Sequence, residues 1–280
     1  MTFAQDRYAV FGQPIKHSKS PKIHRLFAEQ TGQALRYNAQ EVSSEQFAAA
    51  ASGFFAQGGR GLNCTVPLKE LAWSFADKLS ERAQLSKAVN TLARQADGAI
   101  LGDNTDGQGL ITDLVINQQI SLTGISILLL GAGGASRGII GPILEQSPQH
   151  LVIANRTAAK ANRLADEFSA KGTVSACGYG SDLSGQQFDL IINATSASLS
   201  DQLPPLPQDL LAANGYCYDL AYGDQPTAFV QWGLAQNARK SLDGLGMLVE
   251  QAAEAFFIWR GVRPHTQAVI ALLNAERALA

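Results

Sequence analysis

Ile127-Leu-Leu-Leu-Gly131-Ala-Gly133-Gly134-Ala135-Ser136 is the stretch whose reading decides the fold. The aliphatic run has strand length and no polar alternation, so it reads as a strand buried on both faces. Glycines follow it at once, and a helical period runs from Gly134 to Glu145. A buried strand, closely spaced glycines and a helix together make the phosphate-binding turn of a dinucleotide fold. Gly131 permits the tight turn, and Gly133 lets the backbone approach a pyrophosphate lying on the helix N-terminus, where free N–H groups point. The third fingerprint position holds Ser136 instead of Gly or Ala. The alternative is an ordinary strand-to-helix turn; the flanking elements of a βαβ unit favour the dinucleotide reading.

The next strand, Leu151-Val-Ile-Ala154, ends in Asn155-Arg156-Thr157, with Lys160 one turn on. NAD-preferring folds usually place Asp or Glu here to bind the ribose 2′-OH. No carboxylate is present to repel a 2′-phosphate, and a guanidinium is placed to hold one. This predicts NADP over NAD. Thr157 also suits a helix cap and Arg156 a solvated position, and both readings can hold together.

Elsewhere, strand-length apolar runs alternate with helical periods, which argues for an α/β chain with parallel sheets. Strands are expected at 8–11, 35–40, 61–65, 188–193 and 216–220, and 88–92 with 99–101 as a pair around the turn Asp97-Gly98. Ser20-Pro21 opens a helix to about Gln30 with Ser20 as cap, helices follow at 45–56 and from Pro67, Ser80 caps a short one, and the chain is helical after Asp243-Gly244 apart from a break at 261–264.

The chain has 280 residues, about two domains' worth. Hydrophobic residues make up 46% and charged residues 16%, which excludes disordered, collagen-like and coiled-coil classes. A formal net charge of -2 gives no electrostatic reason to expect nucleic acid or a membrane surface as partner. Cys64, Cys177 and Cys217 lack metal-ligand spacing and read as reduced thiols; no metal is assigned. The first residues lack a signal-peptide apolar stretch, and no run is long enough to span a bilayer, so a cytoplasmic protein is expected.

Three polar clusters stand in the first half. Asn63-Cys-Thr65-Val-Pro67-Leu-Lys69 alternates in period two, placing Asn63 and Thr65 on one side of a strand end and Lys69 in the first turn of the helix after Pro67. A cation there is disfavoured by the helix dipole, which pushes a lysine toward an acid/base role; a surface lysine with a snorkelling stem is the alternative. Gly102-Asp-Asn104-Thr105-Asp106-Gly107 offers a helix cap, or in Asp106 a carboxylate partner for Lys69. Lys16-His17-Ser18-Lys19-Ser20-Pro21-Lys22 is a basic, hydroxyl-rich loop suited to a small anion, or an ordinary capped helix start.

Taken together, these segments, with Ala88-Val-Asn90-Thr91, Asn193-Ala-Thr195-Ser196 and Gly244-Leu-Gly-Met247-Leu-Val-Glu-Gln251, resemble the shikimate dehydrogenase family along essentially the whole chain. The resemblance implies an NADP-dependent enzyme that reduces 3-dehydroshikimate to shikimate on the route to aromatic amino acids. Ser18 and Ser20 would hold the substrate carboxylate. Asn63, Thr65, Asn90, Asp106, Tyr222 and Gln251 would hydrogen-bond ring hydroxyls, with Lys69 as proton donor and acceptor beside Asp106. Gly131, Ala132, Gly133, Gly134 and Ala135 would hold the pyrophosphate, and Asn155, Arg156, Thr157 and Lys160 the 2′-phosphate. Glu81, Thr195, Leu220 and Gly244 carry over to the cofactor side.

The implied architecture is two α/β domains with a cleft between them: residues 1–105 plus 244–280 for substrate, and 106–243 as a Rossmann-type NADP domain. A monomer or homodimer is expected. Two departures from the family pattern stand out: Arg25, where Asn is frequent, and Ala197-Ser198, where Ser-Gly is frequent. The competing readings are a quinate/shikimate dehydrogenase, a non-catalytic dinucleotide sensor and an unrelated Rossmann reductase.

Overall fold

The computed structural model describes residues 5–200 and 202–279. Its strands are β1 (Asp6–Gly12), β2 (Leu35–Glu41), β3 (Gly59–Cys64), β4 (Lys78–Leu79), β5 (Thr91–Arg94), β6 (Ile100–Asp103), β7 (Ser126–Leu130), β8 (His150–Ala154), β9 (Val174–Cys177), β10 (Phe188–Asn193), β11 (Leu211–Asp219) and β12 (Lys240–Leu242). Its α-helices are α1 (Ser20–Thr31), α2 (Phe47–Ala56), α3 (Lys69–Phe75), α4 (Glu81–Ser86), α5 (Asp106–Ile111), α6 (Gly134–Glu145), α7 (Ala158–Phe168), α8 (Ala228–Ala235), α9 (Leu245–Arg260) and α10 (Gln267–Arg277). A π-helical turn, Thr112–Asn117, continues α5.

Two compact units result: Met1–Leu110 with Leu248–Leu273, and Ile111–Met247 with Asn274–Ala280. The crossings lie a few residues beyond 105/106 and 243/244, where the sequence places them. Asp106 stays with the first unit because its carboxylate is bound to Lys69 and Asn90. Residues 244–247 stay with the second, where Gly244 N–H donates to Ala221 O at 3.0 Å and Met247 N–H to the Tyr218 hydroxyl at 3.3 Å. The end of α10 also joins the second unit, since Arg277 pairs with Asp243 and donates to Gly223 O.

In the first unit the sheet order is β2-β1-β3-β5-β6-β4. Strands β5 and β6 are the pair expected around the Asp97-Gly98 turn, and β5 runs antiparallel to both β3 and β6 while the other pairings of this sheet are parallel. The turn at Asp97-Gly98 is too short for a crossover, so β5 and β6 can only form a hairpin. Helix α1 lays Ile23, His24, Phe27 and Ala28 inward at helical spacing. Its N-cap is Lys19 and not Ser20 as expected; Ser20 is already the first helical residue, and Ser18 Oγ accepts its N–H at 3.3 Å. Helix α3 likewise begins at Lys69, two residues after Pro67.

The second unit carries an all-parallel sheet in the order β12-β11-β10-β7-β8-β9. Counted within the unit this is strand order 6-5-4-1-2-3, the doubly wound order of dinucleotide-binding folds. The winding reverses between β7 and β10, and the Gly131 turn and Asn193 stand at the ends of those two strands. Ile127, Leu128, Leu129 and Leu130 are fully buried. At about 2 kcal/mol per aliphatic side chain, these four gross roughly as much as the net stability of a typical domain.

One buried group in the first unit resists ordinary packing logic. His24 is buried, stacked on Tyr37 with ring centroids 4.2 Å apart and planes 10° apart. Neither ring nitrogen has a hydrogen-bond partner among the described residues. Burial pulls its pKa down to about 3, with the nearby Asn63 amide opposing. The ring stays neutral in the folded chain while the unfolded chain protonates it below its ordinary value of 6.5. Stability is therefore lost as pH falls from about 6.5 toward 3, by about 1.4 kcal/mol per pH unit from this group. His24→Phe removes that loss. In urea titrations the variant gains on the parent by about 2 kcal/mol between pH 7 and 5; parallel curves across that interval would contradict the assignment.

Candidate functional site

In the first unit, register gathers the polar residues. Asn63 at the end of β3 lies opposite Thr91 at the start of β5, and Thr91 lies opposite Asp103 at the end of β6. Asn90, Asn104, Thr105 and Asp106 follow from the same strand ends. The Asn90 N–H extends the ladder to Asp103 O at 3.1 Å.

Asn90 is the buried centre of this group. Its Nδ2 donates to Asp106 Oδ1 at 2.8 Å, Thr105 Oγ1 at 2.9 Å and Gln251 Oε1 at 3.3 Å. Its Oδ1 accepts from Thr105 N at 2.9 Å and Thr91 Oγ1 at 2.8 Å. The Asp106 carboxylate, so oriented, receives the Lys69 ammonium on its other oxygen. Both partners are largely buried, with side chains 13% and 7% exposed. A buried cation and carboxylate this close can hold a proton and hand it over. Gln251 comes from α9, which can lie this near α5 because Gly109 has no side chain; a Cβ there would stand 2.7 Å from the Gln251 backbone nitrogen.

Asn63 Nδ2 donates to Asn90 O and to Thr91 Oγ1, each at 3.0 Å, and its Oδ1 accepts the Tyr37 hydroxyl at 2.7 Å. Thr65 N–H donates to Phe11 O at 2.9 Å, which holds it just past β3. Ser18 and Ser20 stand together at the start of α1. Glu81, expected on the cofactor side, is an exposed residue in the first turn of α4. The loop carrying Asn104 to Asp106 has its own anchor: Asp103 takes two hydrogen bonds from Arg82, at 2.6 and 2.9 Å.

In the second unit, Gly131 has φ of 105°, a conformation glycine adopts without strain, and a Cβ would meet Ala194 O at 3.1 Å. Gly133 has open space where a Cβ would be. No side chain caps α6. An uncovered helix N-terminus after a bare glycine fits a pyrophosphate. Ser136 is buried and donates its hydroxyl to Gly131 O at 2.9 Å, so the variant third position closes the turn internally.

At the end of β8, Arg156, Thr157 and Lys160 are exposed, and Asn155 Nδ2 donates to Thr157 O at 3.0 Å. Thr157 occupies the N-cap position of α7 without a side-chain capping bond, so its hydroxyl is not spent on the helix. Thr195 N and Oγ1 both donate to Asn193 Oδ1, at 3.1 and 2.7 Å. Leu220 N–H donates to Asn193 O at 2.9 Å, and Gly244 is required beside it, since a Cβ would lie 2.3 Å from Leu220 O. Tyr222, expected among the substrate contacts, is carried by this second unit on the loop after β11. Among the described residues no group of three or more His, Cys, Asp or Glu side chains could hold a metal.

Three family descriptions match along the chain: a shikimate dehydrogenase substrate-binding domain over residues 10–92, a shikimate/quinate 5-dehydrogenase over 114–200, and a shikimate 5′-dehydrogenase C-terminal domain over 244–273. The chain is 60% identical over 275 residues to the shikimate dehydrogenase (NADP(+)) of Methylococcus capsulatus, covering 98% of each. Among solved structures it matches an Ael1 enzyme from Pseudomonas putida at 49% identity and TM-score 0.88, over 96% of this chain and 98% of that one. It also matches the shikimate 5-dehydrogenase of Thermus thermophilus in complex with NADP(H) and shikimate at 32% identity and TM-score 0.86, over 98% of this chain and all of the other, 100%. The chain belongs to the shikimate dehydrogenase family.

Of the two departures from the family pattern, Arg25 points along the exposed side of α1 toward Glu29, 3.8 Å away, and joins no site. Ser198 does more. Its hydroxyl donates to Asp219 Oδ2 at 2.6 Å and accepts from Asn193 Nδ2 at 3.0 Å. Asp219, fully buried at the end of β11, also accepts from Thr227 Oγ1 at 2.7 Å, and from Asn193 Nδ2 and Ala221 N, each at 3.1 Å. Burial raises its pKa, and the four donors pull it back. Asn193 and Asp219 thus shape the loops bearing Thr195 and Leu220. A carboxylate ending an apolar strand was the sequence signal for Asp219. Asp219→Ala leaves these buried donors without their acceptor and is expected to cost about 3 kcal/mol in urea unfolding.

Proposed function

We propose that this chain catalyses the reversible NADPH-dependent reduction of 3-dehydroshikimate to shikimate, in the route to chorismate and the aromatic amino acids. The observation that carries this reading is the Lys69–Asp106 pair set in the Asn90–Gln251 amide network. A dinucleotide sensor has no use for a buried ammonium held beside a carboxylate in a polar cluster. The substrate carboxylate goes to the hydroxyls of Ser18 and Ser20. Its ring hydroxyls go to Asn63, Thr65, Asn90, Asp106, Tyr222 and Gln251.

NADPH, when bound, supplies the hydride that reaches the C3 carbonyl carbon. Gly131 to Ala135 offer it backbone N–H groups for the pyrophosphate, and Asn155, Arg156, Thr157 and Lys160 take the 2′-phosphate. Lys69 donates a proton to the C3 oxygen as the carbonyl becomes an alcohol, and in the oxidative direction it accepts that proton. Asp106 keeps the ammonium aimed throughout, and its own orientation is set by Asn90. Asn63, Asn90 and Asp106 are buried and joined by hydrogen bonds. An analogue lacking one hydroxyl leaves a partner unpaired, which is the source of strong discrimination. No helix of the described residues is long and apolar enough to cross a membrane. A cytoplasmic monomer or homodimer completes the proposal.

The direct test is NADPH formation, followed by absorbance, with shikimate, with quinate, and with NAD in place of NADP. Shikimate with NADP is expected to be the preferred pair; a preference for quinate and NAD would replace this reading with the quinate one. Lys69→Ala is expected to lower turnover about 10²–10⁴-fold, with KM for shikimate little changed. Undiminished turnover in that variant would remove Lys69 from the mechanism. Arg156→Ala is expected to raise KM for NADP about tenfold or more, because a charge-assisted contact is lost. The KM for NAD should stay where it was.

A further inference from the structure

We propose that Tyr37 is a positioning residue that fixes Asn63 as a hydrogen-bond acceptor toward a ring hydroxyl of the substrate. This rests on the proposed reaction and deepens it.

The argument is one of donor and acceptor capacity. An asparagine side chain has two N–H donors and two lone pairs on its oxygen. Asn63 spends its donors on Asn90 O and Thr91 Oγ1. Tyr37 occupies one lone pair of Oδ1 at 2.7 Å. What Asn63 has left to offer is the second lone pair, so the hydroxyl that meets it must donate. A flipped amide would turn its carbonyl against Asn90 O, acceptor against acceptor, so Oδ1 faces Tyr37, whose hydroxyl donates to it and holds the side chain from the other side.

Tyr37 is built to stay in this role. It sits on β2 in register with Tyr8 of β1, which is in register with Gly61 of β3, so it shares a sheet face with Asn63 two residues on. Its ring is stacked on His24, and Trp259 fills the space that Gly61 leaves without a side chain. Burial holds the phenol well above its ordinary pKa, with the Ser20 hydroxyl beside it opposing, so it remains a donor. Tyr37 therefore stands between Ser20, proposed for the substrate carboxylate, and Asn63, proposed for a ring hydroxyl.

The test is steady-state kinetics on the full chain with Tyr37→Phe, Asn63→Ala and the double variant, with thermal melting alongside. Tyr37→Phe keeps the ring and its stack and deletes one hydroxyl. It is expected to raise KM for shikimate about tenfold, with KM for NADP unchanged. In the Asn63→Ala background the same change should add less than about twofold, because the amide through which Tyr37 acts is gone. An unchanged KM for shikimate, an equal effect in both backgrounds, or equal loss for both substrates would overturn the proposal. If Tyr37→Phe does not fold, 3-fluorotyrosine at position 37, a more acidic donor of nearly the same shape, is expected to lower KM for shikimate; no change would overturn it. A parent chain that does not oxidise shikimate would overturn the reaction and this assignment together. An active parent with an indifferent Tyr37 would overturn this assignment alone.

Discussion

The ion pair between Lys69 and Asp106 sets the terms for the first unit. Two charges removed from water cost several kcal/mol each, and their attraction offsets this only where further hydrogen bonds satisfy the remaining lone pairs and protons. The surroundings supply them: Asn90 on the free carboxylate oxygen, Asn104 on the Asp106 backbone N–H, and Thr105 and Gln251 holding Asn90 in place. Mixed strand direction follows from the same need. The β5–β6 hairpin brings Asn90 and the 104–106 loop to one end of the sheet, beside Asn63 on β3. A purely parallel sheet would have sent those two ends to opposite edges.

The second unit solves a different problem with a different economy. A pyrophosphate and a 2′-phosphate carry their own charge, so the chain needs exposed donors for them and not a buried ion pair. On the proposed reading, the glycine turn, the uncapped start of α6 and the exposed Arg156 and Lys160 offer such donors. The buried polar work is done behind them. Asn193 and Asp219 end neighbouring parallel strands in register, and their side chains bond to each other and to the loops that follow. Ser136 does the same for the glycine turn.

Much of this was legible in the sequence. The run Ile127 to Leu130 with its glycines reads as a buried strand and phosphate turn because both features are local and have one physical explanation. Asn63, Lys69, Asn90 and Asp106 were legible as chemistry-bearing types, and Lys69 at the first position of a helix was conspicuous. Their pairing was not legible, since nothing in spacing brings residue 69 to residue 106; the β3–β5–β6 register does. The β5–β6 pair was legible because the Asp97-Gly98 turn marks it; that β5 also pairs antiparallel with β3 was not, because no local signal sets that neighbour. Asp219 left one signal, a carboxylate ending an apolar strand, but its four donors were not legible. Tyr37 left none: it sits in an ordinary strand, and its importance lies in one long-range hydrogen bond.

That contrast bears on the two departures from the family pattern. Arg25 puts a cation where the family pattern often has an amide. It lies on the exposed face of α1, where a charge costs little and touches nothing in the cluster. The Ser198 hydroxyl joins Asn193 to Asp219 and ties down the segment after Thr195. Where glycine stands at this position the loop keeps its backbone freedom and the carboxylate has one donor fewer. With serine, the same loop is held by a buried, charge-assisted bond at 2.6 Å. The weight of a substitution is thus set by what its atoms can reach in the fold, and a small polar residue beside a buried carboxylate outweighs a large charged one facing water.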